Sequence, residues 1–417
     1  MRIIFNKKIK SKDGKVVAQN FAYLTFLQFA GYVFPILTIP YLARTIGAEG
    51  FGRISFASAV IVWVQTLVDW GFLFTATRDV AQNREDKDKV SEIFSNVLWA
   101  RLLLCIISGI GLSLLIISIP TFREHAVILG ISFLMVPGHI FFPDWFFQGV
   151  EKMKYTTLFN LTIKFIFTIA VFIFIREKSD YIYQPLLTSI GYLVCGIGAF
   201  YLIVYKWGYS IRPPKMGKIL STLKGSTDVF INNLMPNLYN SLSIVLLGIW
   251  GGPVANGIYF GGQKFVEIFR NLHQVLSRAF FPFLSRHKDK HRMFVLINIG
   301  SASLGAVIMI VLAPLIINVL MGDEFEGSVD VFRILVLSLI FLSISNTYGT
   351  NYLIINHQER NLRNSTMFFS VIGMLMAIPL IKNYTYLGVA MTILICRFFL
   401  GASAFLLAVL YKRKHGY

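Results

Sequence analysis

The sequence has few charged residues and few cysteines for its length. Only 14% of its 417 residues are Asp, Glu, Lys or Arg, whereas 55% are hydrophobic and the mean hydropathy is +0.65. This balance excludes a soluble enzyme of this size and predicts an all-α integral membrane protein. Cys105, Cys195 and Cys396 all fall within apolar stretches. They are therefore interpreted as small packing residues, with no disulfide framework or metal site.

Sequence signatures of catalysis are also missing. The chain contains no Walker A motif, no HExxH and no Gly-x-Ser-x-Gly, and no loop is long enough to present an aqueous active site. We therefore predict that the protein is not an enzyme and has no cofactor. Without a nucleotide-binding domain, any transport must be driven by the substrate gradient or by a coupling ion, H⁺ or Na⁺.

Long apolar stretches recur along the whole chain. A helix of about 20 residues crosses the roughly 30 Å hydrocarbon core of a bilayer, and each stretch is near or above that length. We predict twelve transmembrane helices, at residues 19–44, 54–78, 93–118, 126–149, 156–175, 182–205, 223–250, 254–282, 293–320, 329–355, 364–381 and 384–410.

The basic residues are distributed unequally between the two sets of loops. The termini and the loops on the amino-terminal side hold 27 of the 39 lysines and arginines, and the opposite loops hold 6. Loops rich in Lys and Arg remain in the cytoplasm. Both termini are therefore predicted to be cytoplasmic, and the net charge of +18 is attributed to this bias rather than to nucleic-acid binding.

The chain divides into two halves of six predicted helices each. The longest predicted loop contains Pro213 and Pro214, and we place the lobes at 1–210 and 211–417. A weak internal sequence repeat aligns IGAEGFGRISFA (46–57) with WGGPVANGIYFG (250–261), matching Gly47 with Gly251. Such a repeat predicts a cavity between the lobes and alternating access. Prolines within the spans predict bent helices, at positions 35, 40, 137, 143, 236 and 314.

Three charged residues interrupt the eighth predicted helix at three-residue spacing. Lys264, Glu267 and Arg270 fall on one face, because each residue of a helix turns by about 100°. One interpretation is a cationic surface for an anionic substrate, with Glu267 either moderating the positive charge or taking up protons for ion coupling. The alternative is an internally paired ladder that only holds helices together. The surplus of positive charge favours the first.

Other charged residues are ranked by their depth in the spans. Lys164 and Arg397 are central and are candidates for substrate binding, whereas Arg101 and Arg333 lie nearer helix ends and are expected to snorkel to the headgroups. Asp144 and Asp228 lie nearer the cytoplasmic ends of their helices and are interpreted as gate or interface residues. Asp69 is the deepest acid of the first half. It is predicted either to bind a coupling proton or cation, or to pair with an arginine.

Two stretches resemble the polysaccharide or O-antigen flippases of the multidrug/oligosaccharidyl-lipid/polysaccharide exporter superfamily. PILTIPYLARTIGAEGFGRISFA (35–57) is similar to the family's first hairpin, and PDWFFQGVEKMKYTTLFNLTIK (143–164) to its junction between helices 4 and 5. The second stretch is the more specific, and its matching residues are Trp145, Gln148, Gly149, Glu151, Met153, Lys154 and Lys164.

The resemblance implies a V-shaped pair of six-helix lobes around a central cavity in the bacterial inner membrane. It also implies that undecaprenyl-diphosphate-linked oligosaccharide moves from the cytoplasmic to the periplasmic leaflet. A polysaccharide polymerase and a chain-length regulator are the expected partners. In this interpretation Lys264, Arg270, Lys164 and Arg397 bind the diphosphate and acidic sugars, and Asp69 and Glu267 couple the ion.

Two other functions compete with this interpretation. A multidrug exporter of the same superfamily would accept organic cations and should have an acidic cavity, whereas the central charges here are mainly basic. A membrane-embedded polysaccharide polymerase would need a large extracytoplasmic loop, and the predicted loops on that side are short.

Overall fold

The computed structural model describes residues 12–415, and within that range the chain is built of α-helices joined by short 3₁₀ and π segments. The helices are α1 (Lys12–Asp69), α2 (Phe72–Gln82), α3 (Lys87–Ser118), α4 (Pro120–Glu124), α5 (Ala126–Phe133), α6 (Met135–Phe141), α7 (Asp144–Gly149), α8 (Met153–Phe174), α9 (Tyr183–Tyr201), α10 (Met216–Leu234), α11 (Ser241–Arg286), α12 (His291–Leu320), α13 (Ser328–Ser345) and α14 (Glu359–His415).

Nine stretches of the described chain are long and apolar enough to cross a membrane. Three of them are about twice the length that a single crossing needs, with 50, 62 and 56 residues. Each of these three contains a residue with a non-helical backbone, and these residues are Gly47, Gly252 and Thr385. The all-α membrane class is confirmed.

Two of these breaks share one backbone conformation. Gly47 has φ 69° and ψ −178°, and Gly252 has φ 77° and ψ −177°. Glycine reaches positive φ without the steric penalty that a Cβ imposes. The shared geometry pairs Gly47 with Gly252 in the repeat, so the predicted match with Gly251 is wrong by one position.

A reciprocal glycine contact supports this corrected register. A Cβ on Gly52 would lie 1.6 Å from the carbonyl oxygen of Pro253, and a Cβ on Gly257 would lie 1.9 Å from that of Ala48. Pairing Gly47 with Gly252 also pairs Gly52 with Gly257 and Ala48 with Pro253. Each half thus contributes the same glycine and the same carbonyl to one close helix crossing.

The described residues group into two compact units. Unit 1 comprises the residues up to Leu42 together with Ile61–Asn233, and unit 2 comprises Ala43–Val60 together with the residues from Leu234 onward. Each unit therefore includes a segment that the predicted lobe boundary assigns to the other half. The lobes at 1–210 and 211–417 stay a prediction.

An aromatic core in unit 1 fixes the short helix α7. Phe146 and Phe147 are fully buried, and the ring of Phe94 on α3 lies 5.1 Å from that of Phe146. The ring of Tyr155 on α8 stacks on Phe147 at 6.1 Å. Aromatic side chains of this size dominate the energetics of a core, so α7 and its first residue, Asp144, are held in place.

Candidate functional site

The charged face of α11 lies in unit 2 and is partly paired. The Nζ atom of Lys264 lies 3.6 Å from Oε2 of Glu267, and 4.2 Å from the ring centre of Phe260. Both charged side chains of the pair are 30% exposed. The predicted pairing of Lys264 with Glu267 is therefore present, but both side chains remain accessible.

Arg270, one turn further along α11, has an unused hydrogen-bond donor. Its Nε atom is buried and has no hydrogen-bond partner among the described residues. A buried donor of a charged group is costly to leave unpaired. Arg270 is therefore suited to receive an acceptor oxygen from a ligand.

Arg397 on α14 belongs to the same region of unit 2. It is only 8% exposed, and its Nη1 atom donates a hydrogen bond of 2.7 Å to Oγ of Ser338. Glu267 and Arg270 are both within electrostatic range of its guanidinium. Arg397 is thus a buried charge, and its substrate contact stays a prediction.

The unit 2 cluster, defined as Lys264, Glu267, Arg270 and Arg397, holds three cations and one carboxylate. Its formal charge is thus +2 within helices that are otherwise apolar. Charges at membrane depth are expensive, so an unbalanced surplus marks a functional site. The cluster is able to bind a polyanion.

Lys164 lies in unit 1, on α8. Its Nζ atom is 3.1 Å from the position that a Cβ on Gly31 would occupy, so the ammonium group lies against the backbone of α1. The residue is half-buried. Its substrate contact stays a prediction.

Asp69 of unit 1 pairs with Arg101. The Nη2 atom of Arg101 donates to Oδ1 of Asp69, and its Nη1 atom donates to the carbonyl oxygen of His139 at 3.1 Å. The expectation that Arg101 snorkels is wrong, because the residue is 5% exposed and held by these partners. Of the two alternatives for Asp69, pairing with an arginine is seen, and its role in ion coupling stays a prediction.

Asp144, which the sequence predicts as a gate or interface residue, lies among polar residues that sequence reasoning missed: His139, Thr156 and Tyr192. Oδ1 of Asp144 is buried without a hydrogen-bond partner among the described residues, and the hydroxyl of Thr156 lies beside the carboxyl. The ring of His139 stacks on that of Tyr192 at 4.0 Å. The signal that could have found His139 is its position in the same predicted span as Asp144.

Known sequences are similar to this chain over most of its length. A family model described as "Polysaccharide biosynthesis protein" matches residues 17–288. The "Putative O-antigen transporter" of Escherichia coli (strain K12) is 28% identical over 90% of this chain and 92% of that protein. A protein of the same name from Shigella dysenteriae is 24% identical over 90% of this chain and 96% of its own length.

Solved structures show the same fold at low sequence identity. A lipid II flippase in an inward closed conformation has a TM-score of 0.69 at 14% identity, covering 93% of this chain and 87% of its own. An inward-facing multidrug resistance transporter has a TM-score of 0.66 at 12% identity, covering 94% and 98%. At this level of identity the likeness shows the fold alone. The family model confirms the predicted family: the chain is a multi-pass membrane protein of the polysaccharide biosynthesis protein family, and two of its relatives are named "Putative O-antigen transporter".

Proposed function

We propose that the protein is a flippase, not an enzyme, which moves an undecaprenyl-diphosphate-linked oligosaccharide from the cytoplasmic to the periplasmic leaflet of the bacterial inner membrane. The observation that carries this proposal is the +2 surplus of the unit 2 cluster. A diphosphate offers several acceptor oxygens and negative charge. Charge-assisted hydrogen bonds to such oxygens are strong, and they strengthen further away from bulk water.

Individual residues of the cluster have different roles in this proposal. Lys264 and Arg270 bind the diphosphate, because Lys264 is partly exposed and Arg270 has a donor to spare. Arg397 supplies a fixed positive field from behind. Glu267 holds Lys264 in place until the substrate replaces it. This arrangement disfavours organic cations, the substrates of a multidrug exporter.

The proposed topology has twelve crossings in two lobes of six helices. Each of the three double-length spans crosses the membrane twice, and it reverses near Gly47, Gly252 or Thr385. Both termini are then cytoplasmic. Transport proceeds by alternating access and is coupled to an ion, and a polysaccharide polymerase with its chain-length regulator receives the product.

The test is made in the native host with the gene deleted. We expect lipid-linked oligosaccharide to accumulate in the cytoplasmic leaflet, and the wild-type gene to relieve this accumulation. Lys264→Ala and Arg270→Ala should each reduce the flipping rate about tenfold or more, since a charge-assisted hydrogen bond contributes about 1.5–3 kcal/mol. The amount of folded protein in the membrane is measured in parallel.

Arg333→Ala provides a matched control. Like Lys264, Arg333 pairs with an acid three residues away, with 3.3 Å between its Nη1 atom and Oδ1 of Asp330, but it lies outside the unit 2 cluster. It should retain full flipping. Unchanged lipid intermediates in the deletion strain would refute the proposal. Loss of folded protein in the Lys264 and Arg270 variants would assign them a structural role instead.

A further inference from the structure

The polar cluster of unit 1 has more carboxylates than cations. It contains Asp69 and Asp144 around the single guanidinium of Arg101, all within electrostatic range of one another. Arg101 commits one terminal nitrogen to Asp69 and the other to the backbone of His139. No ion pair to Asp144 is found among the side chains that the structure describes. One further positive charge is needed to balance the cluster.

The two carboxylates differ in their access to water. The side chain of Asp69 is 55% exposed even while it pairs with Arg101. Oδ1 of Asp144, in contrast, is shielded from solvent and lacks a hydrogen-bond partner within the described part of the chain. An ionised carboxylate in such surroundings is costly, and neutralising it with a proton removes that cost. Water can solvate the side chain of Asp69, whereas it does not reach Oδ1 of Asp144.

The other groups around Asp144 do not supply the missing charge. On α9 it faces Tyr192, and on α8 the hydroxyl of Thr156. On α2, which packs against α7, Arg78 is already paired with Asp79 at 2.9 Å.

Two further groups near the cluster, His139 and Arg84, already have partners of their own. His139 on α6 stacks on Tyr192. Beyond the end of α7, Arg84 is paired with Glu151. Arg101 therefore remains the cation that both carboxylates share.

We propose that Asp144 is a proton-binding site, and that Arg101 passes between Asp69 and Asp144 as this proton binds and leaves. With the proton on Asp144, Arg101 bonds to Asp69, as in this structure. When the proton leaves to water, the Asp144 carboxylate draws Arg101 toward it, and Asp69 is left to solvent. Two arrangements of the buried cation Arg101 form a switch with which a proton gradient can drive the proposed transport. Only this link to transport rests on the proposed function.

The experiment detects the proton directly. The purified full-length protein in lipid nanodiscs is titrated with pH, and the infrared carbonyl band of protonated carboxyl groups is recorded. Above about pH 6, where ordinary carboxyl groups are ionised, wild type should still show a band that disappears as pH rises further, and Asp144→Asn should lack it. Asp79→Asn, which removes an exposed and paired carboxylate, should keep it.

Two further variants test the switch and guard against misfolding. Asp144→Glu keeps a carboxyl group and should restore a titrating band. Arg101→Gln removes the cation that favours the ionised form, so the band should persist to higher pH. A band that survives in Asp144→Asn, or its absence from wild type, overturns the proposal.

Sodium is the competing occupant. If replacing choline by Na⁺ in the buffer abolishes the band at constant pH, Na⁺ displaces the proton from the same site, and the proposal that a proton is the ion that moves Arg101 is overturned. The spectrum requires no flipping, so its result stands even if the deletion strain shows that the proposed transport is absent.

Discussion

At the scale of single residues, the pairing of Asp69 with Arg101 gives a stability prediction. Arg101 is buried, so Asp69→Ala removes the carboxylate that pairs with its positive charge in this structure and should lower the thermal unfolding midpoint. Adding Arg101→Met removes that charge and should recover part of the loss. We expect a coupling energy of about 1–3 kcal/mol from the double-mutant cycle, measured by thermal unfolding in detergent.

The control for this cycle is the surface pair of Lys89 and Glu92, near the start of α3. The Nζ atom of Lys89 lies 3.0 Å from Oε2 of Glu92. An exposed pair contributes little, so the same cycle there should give a coupling below about 1 kcal/mol. Equal coupling energies for the two pairs would mean that Arg101 is not buried in the membrane-embedded protein. The Asp144 proposal would then lose its central cation.

The burial of Arg101 also shows what residue-level sequence reasoning cannot supply. Its position in the predicted span 93–118 is near one end, and a long side chain there normally reaches the headgroups. Its direction depends on which neighbours its helix faces, and those neighbours come from α1 and α6. By contrast, spacing alone predicted that Lys264 and Glu267 share a face, because both lie on one helix.

At the scale of helices, the reciprocal crossing predicts that Gly52 and Gly257 tolerate no side chain. An alanine Cβ at either position would overlap a backbone carbonyl oxygen, which cannot rotate away as a side chain can. Each substitution should destabilise the protein by about 1–3 kcal/mol or more, the usual cost of overpacking. The midpoint of thermal unfolding in detergent measures this effect.

Gly300→Ala serves as the matched control. Gly300 lies within α12, and a Cβ there would have no heavy atom within 4 Å. Alanine should be neutral or slightly stabilising, because it forms helices more readily than glycine. If Gly52→Ala and Gly257→Ala unfold at the temperature of Gly300→Ala, the close crossing is wrong.

Helix bends illustrate how far element-level prediction extends. Pro143 and Pro236 coincide with interruptions of regular α-helix, as predicted. Pro35 and Pro314 instead lie inside continuous α-helix, since neighbouring turns absorb the missing hydrogen bond. The predicted alignment of the two repeats was wrong by one position. Residues 251 and 252 are both glycine, and only the backbone conformation shows which of them corresponds to Gly47.

At the scale of the whole molecule, the number of crossings decides which loops face the cytoplasm. Twelve crossings place Ser179 outside and Lys215 inside, and both residues are exposed. Cysteines introduced there by Ser179→Cys and Lys215→Cys should react differently with a membrane-impermeant maleimide. In intact spheroplasts only the first should be labelled, and the second should react after permeabilisation. Wild type is the background control, because Cys195 and Cys396 are buried and Cys105 is partly so.

The same experiment separates twelve crossings from nine. If each double-length span crossed only once, the first of them, Val33–Gln82, would reverse the side of every loop up to the next long span. Lys215→Cys would then react from outside, and Ser179→Cys would be protected. The odd number of crossings would also move the carboxyl terminus to the side opposite the amino terminus, where the three basic residues at 412–414 would contradict the positive-inside bias. The expected labelling of Ser179→Cys thus requires that the chain reverses within the first long span, where Gly47 has the only non-helical backbone recorded within α1.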